Sequence, residues 1–128
     1  MFHSTGFRLG KRELEIMQVV WEMGEATVQD VCDRLERAAA YSTVLTMMRT
    51  LETKGLLNHR VVGRTFVYRP QVPREEVRAA LVHEMREVLF GGSAAMLVSS
   101  MLSHSPMSAE ELAELRAILN RGEAKGAK

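Results

Sequence analysis

The chain carries a single cysteine, Cys32, in 128 residues. One thiol excludes an intramolecular disulfide and fits a reducing compartment. There is no CxxC pair, and His3, His59, His83 and His104 are scattered without ligand spacing, so no metal site is expected. No apolar run approaches the roughly 20 residues of a membrane span. The opening MFHSTGFRLGKR also lacks the apolar stretch of about 7–15 residues that marks a signal peptide. A cytoplasmic protein that does not engage a membrane is therefore expected. Gly-rich phosphate loops, a Ser-His-Asp order and paired catalytic acids are missing too, so neither an enzyme nor a cofactor is expected. Nine methionines could suggest a soft-metal or peptide groove. Met17, Met47, Met48, Met85 and Met101 fall on apolar stripes, however, where core filling is the better account.

What is present is a 46% apolar chain of a length suited to one globular domain, or to a small domain with an oligomerisation element. The net charge of +1 hides a strong asymmetry. Residues 1–37 hold five Lys/Arg against seven Asp/Glu, or −2. Residues 38–70 hold Arg49, Lys54, Arg60, Arg64 and Arg69 against Glu52 alone, or +4. Residues 71–128 hold seven against eight, or −1. A basic middle between acidic flanks suits a polyanion-binding surface, although an ordinary solvated surface can carry the same charges.

Residues 1–8 read as a loose arm. From Lys11 to Met23, apolar residues recur at helical spacing through Leu14, Met17, Val20 and Trp21, and Gly24 ends the run. Thr27 and Asp30 form a capping box for a second helix, with Val28, Val31, Cys32 and Leu35 as its stripe, ending around Ala38–Ala40. Ser42 is placed to cap a third helix to about Lys54, closed by Gly55. The period then changes. Leu57–Val62 and Thr65–Arg69 are β-prone runs around Gly63-Arg64, a hairpin that Pro70 stops. Three helices and a hairpin within about 60 residues make the winged variant of the helix-turn-helix.

Pro73 and Glu75-Glu76 open a fourth helix whose face carries Val77, Leu81, Met85 and Val88. Gly91-Gly92-Ser93 interrupts it. A fifth helix over about Ala94–Ser103 presents Leu97, Val98, Met101 and Leu102. A Ser108/Glu111 capping box starts a sixth, with Leu112, Leu115, Ile118 and Leu119. Stripes beyond a self-sufficient domain must be buried, either against that domain or, as expected here, against a second copy. The predicted class is thus mainly α with a small β-hairpin wing. Its organisation is an arm (1–8), a winged helix-turn-helix DNA-binding domain (9–71), a helical dimerisation domain (72–121) and a frayed tail (122–128).

At 100° per residue, Val44, Met47, Met48 and Leu51 share one side of the third helix. The opposite side collects Ser42, Thr46, Arg49 and Thr53, with Thr43, Leu45 and Thr50 on its margins. Short hydroxyl side chains, Thr methyls and one Arg suit the major groove, where they reach phosphates, base edges and thymine methyls. A helix facing only solvent more often carries Glu and Lys pairs. The hairpin supplies Arg60 and, at its tip, Arg64, within reach of a phosphate or the minor groove.

The segments RELEIMQVVW, ATVQDV, YSTVLTMMRTLETKGLL and GRTFVYRP, then FGGS and MSAEELAELRAIL, occur in order over about residues 9–120. In this combination the chain resembles the penicillinase-repressor family of BlaI/MecI/CopY-type regulators. The resemblance implies a dimeric repressor that occupies a palindromic operator and blocks transcription. It places Thr43, Thr46 and Arg49 at recognition-helix positions, Arg64 on the wing, and the C-terminal helices in a dimerisation domain. Antibiotic-responsive members are cleaved there at an Asn-Phe bond after a membrane sensor-protease acts; the matching place here reads Ser100-Met101. Copper-responsive members carry a C-terminal cysteine cluster, and RGEAKGAK has none. The resemblance therefore carries over neither route of induction. Two other readings share the fold: a winged-helix protein-interaction adaptor, and a small-molecule-responsive regulator of the PadR or MarR type.

Overall fold

The computed structural model describes residues 8–126, so all of the expected N-terminal arm except Arg8 lies outside the described residues. Six helices and one hairpin follow in the order α1 (Lys11–Met23), α2 (Val28–Arg34), α3 (Tyr41–Thr53), β1 (Leu57–Val62), β2 (Thr65–Pro70), α4 (Arg74–Phe90), α5 (Ala94–His104) and α6 (Ala109–Gly126). The chain divides into two compact units, one through Met85 and one from Arg86.

In the first unit α1, α2 and α3 enclose a core of Ile16, Met17, Val20, Val31, Val44, Met48 and Leu51, closed below by Leu56, Leu57 and Tyr68 of the hairpin. Gly24 ends α1 at φ +83°, a conformation that L side chains rarely adopt. The α2 capping box forms in both directions: Asp30 N donates to Thr27 Oγ1 at 3.0 Å, and Thr27 N donates to Asp30 Oδ2 at 3.0 Å. β1 and β2 pair antiparallel from Leu57↔Pro70 to Val62↔Thr65, leaving Gly63-Arg64 as a two-residue turn with Gly63 at φ +65°. A single bridge between Ala26 and Tyr68 attaches the α1–α2 connection to the wing.

Several expected boundaries move. α2 ends at Arg34, because Leu35 turns extended (φ −68°, ψ 130°) to pack against the core. The alanines 38–40 are not helical despite their propensity, a case of tertiary packing overriding local preference. Ser42 does not cap α3. Ala40 is the N-cap, without a side-chain bond, and Ser42 lies inside the first turn. Pro70 pairs with Leu57 as the last residue of β2. The helical backbone of α6 continues through Gly126, so residues 122–126 are not a frayed tail.

The fourth helix brings the largest correction. Val77 was expected to face a second chain, but it is 1% exposed inside the core of the first unit, and Leu81 packs against that core. Two contacts draw this stretch onto α1. Trp21 Nε1 donates to Val72 O at 2.9 Å, and the Arg74 guanidinium lies 5.8 Å from the Trp21 ring centroid. The first unit thus runs past the expected limit at residue 71 and includes the start of α4.

In the second unit Ser93 caps α5 by accepting from Met96 N at 3.0 Å, and Ser108 accepts from Glu111 N at 3.1 Å at the start of α6. None of its described side chains is buried. Val88, Leu89, Met96, Met101, Leu102, Ile118 and Leu119 are all exposed, and Leu97, Leu112 and Leu115 are half-buried. Among the described residues no helix is long and apolar enough to cross a membrane.

Candidate nucleic-acid interface

The sequence of α3 sorts its residues cleanly. Val44, Met48 and Leu51 are fully buried, whereas Ser42, Thr43, Thr46, Arg49, Thr50 and Thr53 are exposed. Leu45 and Met47 sit half-buried on the margins. The hydroxyls of the outer face fall into two groups. Thr46, Thr50 and Thr53 donate back to the carbonyls of Ser42, Thr46 and Arg49 at 2.9, 3.0 and 3.1 Å. Their one proton is engaged, so they offer lone pairs and methyl groups outward. Ser42 and Thr43, in the first turn, make no such side-chain bond among the described residues.

The arginines also differ. Arg60, expected to face a polyanion, is held by Glu25: its Nε and Nη2 donate to the two carboxylate oxygens at 3.2 and 2.9 Å. The Arg60 hydrogen bond holds the Glu25 carboxyl below its ordinary value. Arg69 donates to Asn58 Oδ1 at 3.0 Å. Arg64, at the hairpin turn, makes no ion pair among the described residues. Arg49 stands beside the buried Tyr68 hydroxyl, close enough to act on it, although that hydroxyl makes no hydrogen bond of full geometry among the described residues. Burial pushes the Tyr68 phenol above its ordinary value, Glu52 adds to the shift, and Arg49 works against it. Glu52 in turn contacts His59 Nδ1 at 2.7 Å, and the His59 ring stacks on Phe66 at 4.1 Å between centroids. These contacts fix the hairpin against α3.

Between α3, the start of α2 and the hairpin turn lies an open cleft of about 440 Å³. Tyr41, Leu45 and Arg49 form one side, Arg64 and Phe66 the other, and no carboxylate among the described residues lines it. A second polar cleft, between α1 and α2, has the opposite character, with Glu15, Glu22 and Glu36 around Arg34. One cleft is thus cationic and the other mainly acidic; of the expected residues Leu45, Arg49 and Arg64 line the cationic one, whereas Thr43 and Thr46 are exposed on α3 outside its lining. Sequence reasoning missed Tyr41, which its aromatic type at a helix start could have flagged. It also missed the Glu25 tether on Arg60, which no local pattern announces.

Residues 9–121 match the family described as penicillinase repressor. The chain belongs to the penicillinase-repressor family. The penicillinase repressor of Bacillus licheniformis is 31% identical over 114 residues, covering 88% of this chain and 89% of that protein. The methicillin resistance regulatory protein MecI of Staphylococcus aureus is 21% identical over 117 residues, covering 90% and 95%. Among solved structures, a MarR family protein from Bacillus stearothermophilus aligns with a TM-score of 0.51 at 16% identity, covering 97% of this chain and 79% of that one, which concerns the fold alone. As a penicillinase-repressor family member the chain is a DNA-binding transcriptional repressor and not an enzyme.

Proposed function

We propose that the chain acts in the cytoplasm as a homodimer on a palindromic operator and represses the genes downstream. The carrying observation is the exposed hydroxyl face of α3, with Arg49 of that helix and Arg64 of the wing, which has no ion pair among the described residues, lining one cleft that no described carboxylate lines. In this reading α3 enters the major groove. Thr46, Arg49 and Thr50 meet base edges, Ser42, Thr43 and Leu45 meet sugar, phosphate or thymine methyls, and Arg64 reaches the neighbouring backbone or minor groove. Arg60 joins them only by leaving Glu25.

The second unit supports the dimer. Its helices leave Val88, Met101, Ile118 and Leu119 exposed and gather Val98, Met107 and Leu115 around an apolar groove. Such surfaces are ordinarily covered, and a second copy with the same stripes covers them symmetrically. Leu97 and Leu112, half-buried in the same unit, are assigned to the dimer contact as well, and Met85, half-buried at the end of the first unit, is kept as a candidate, whereas Val77 is buried in the core of the first unit. Two subunits then set their α3 helices about 10 bp apart, or a multiple of that. Ser100-Met101, which stands where antibiotic-responsive members have the cleaved Asn-Phe bond, lies within helix α5.

The test is a footprint and binding titration on the DNA upstream of the protein's own gene, set against random duplex at two salt concentrations. A protected palindrome bound far more tightly than random DNA is the expected result. Equal, salt-insensitive binding to both would refute the reading in favour of a protein-interaction adaptor.

A further inference from the structure

Tyr41 is the first residue of α3 and is 53% exposed. With Leu45 and Arg49 it follows the i, i+4, i+8 line of one helix face, and the three form one wall of the cationic cleft. Arg64 and Phe66 of the wing form the facing wall. No hydrogen bond within the protein engages the Tyr41 hydroxyl among the described residues. An aromatic ring with a free donor at its edge therefore stands at the mouth of a cleft that carries two arginines and no acid.

Duplex geometry says what passes there. The major and minor grooves, about 12 and 6 Å wide, are separated by a sugar–phosphate strand. If α3 occupies the first groove and the Gly63-Arg64 turn overhangs the second, the intervening strand runs between them, along this cleft. We propose that Tyr41 is a further DNA-contact residue that seats this strand: its ring packs on a deoxyribose and its hydroxyl donates to a phosphate oxygen. The proposal rests on the DNA-binding reading above and adds a sequence-blind contact to it. Tyr41 is uncharged, so it releases no counterion, which separates its signature from that of an arginine.

The full-length protein is titrated with a labelled random duplex of about 30 bp, three helical turns, across a series of KCl concentrations. Wild type is compared with Tyr41→Phe, Tyr41→Ala and Arg64→Ala. Tyr41→Phe is expected to weaken binding about three- to tenfold at every salt concentration and to leave the slope of log K against log salt unchanged. Tyr41→Ala weakens binding at least as much, and Arg64→Ala lowers the slope by about 0.9. Tyr41→Phe keeps the ring, and a melting temperature equal to wild type confirms its fold should Tyr41→Ala be unstable. Wild-type affinity in Tyr41→Phe alongside a lowered slope in Arg64→Ala overturns the Tyr41 assignment and leaves the DNA-binding reading standing. A slope altered by Tyr41→Phe also overturns it, since that would mean displaced cations. A wild-type protein that retains no duplex at low salt overturns both.

Discussion

Thr46 illustrates how far a single side chain can be read. Its position on the outer face of α3 follows from helical periodicity, but the use of its hydroxyl does not. In the fold its proton goes to the Ser42 carbonyl, which leaves a methyl group and lone pairs facing out. Thr46→Ala is therefore expected to narrow the gap between operator and random duplex. Thr46→Val keeps the methyl and tells which part reads: retained discrimination in the titration assigns the methyl, and lost discrimination assigns the oxygen. Glu25 makes the complementary case. Glu25→Gln releases Arg60, so binding to random duplex should tighten and its salt slope steepen by up to about 0.9. The Glu25 carboxyl is held low by Arg60. The pair is accordingly intact above the ordinary carboxylate range and is lost as pH falls through the depressed folded value. Tyr68 behaves oppositely, being raised by burial above its ordinary value of 10.0. Its contribution to stability is whole below that pH and disappears as pH climbs through the higher folded value. Tyr68→Phe removes a buried hydroxyl that makes no hydrogen bond of full geometry among the described residues. We expect melting temperatures equal to or above wild type at pH 7, by up to about 1 kcal/mol of stability, and a shallower decline above pH 10.

At the scale of elements, local chemistry carried most of the reading. The Gly24 stop, the Thr27–Asp30 box, the Gly63-Arg64 turn, the break at Gly91-Gly92-Ser93 and the Ser108 cap are each a residue type doing what its backbone position demands. Thr27→Ala is expected to cost about 1 kcal/mol in chemical denaturation, because it removes the acceptor for the Asp30 amide. Equal midpoints for the two proteins would place the strength of α2 in its packing alone. Elements were misjudged where distant contacts decide. α2 stops early because Leu35 belongs to the core, and α4 starts on the first unit because Trp21 holds Val72 and Arg74. Val77 has the right spacing for an interface stripe and the wrong neighbours. Periodicity says that a face will be buried, not against what.

The whole molecule is two units of unequal self-sufficiency. The first has a closed core that includes Val77 and Leu81, so a division after residue 71 would cut into it. A chain ending at Met85 is expected to melt cooperatively and sediment as a monomer. Its affinity for operator should fall by about 10²-fold or more through loss of the second half-site's effective concentration. A dimer in sedimentation would assign self-association to the winged unit instead.

The helices from Ala94 onward bury no described side chain by themselves, and the proposed dimer would tie the repressor's response to its own abundance. If a second copy covers that apolar surface, as proposed above, the assembled form grows with the square of concentration while free chains dominate. Operator occupancy then rises more steeply than for a monomeric binder. A modest dilution, as at cell division or after a brief pause in synthesis, would vacate the promoter more completely than the change in protein level alone suggests.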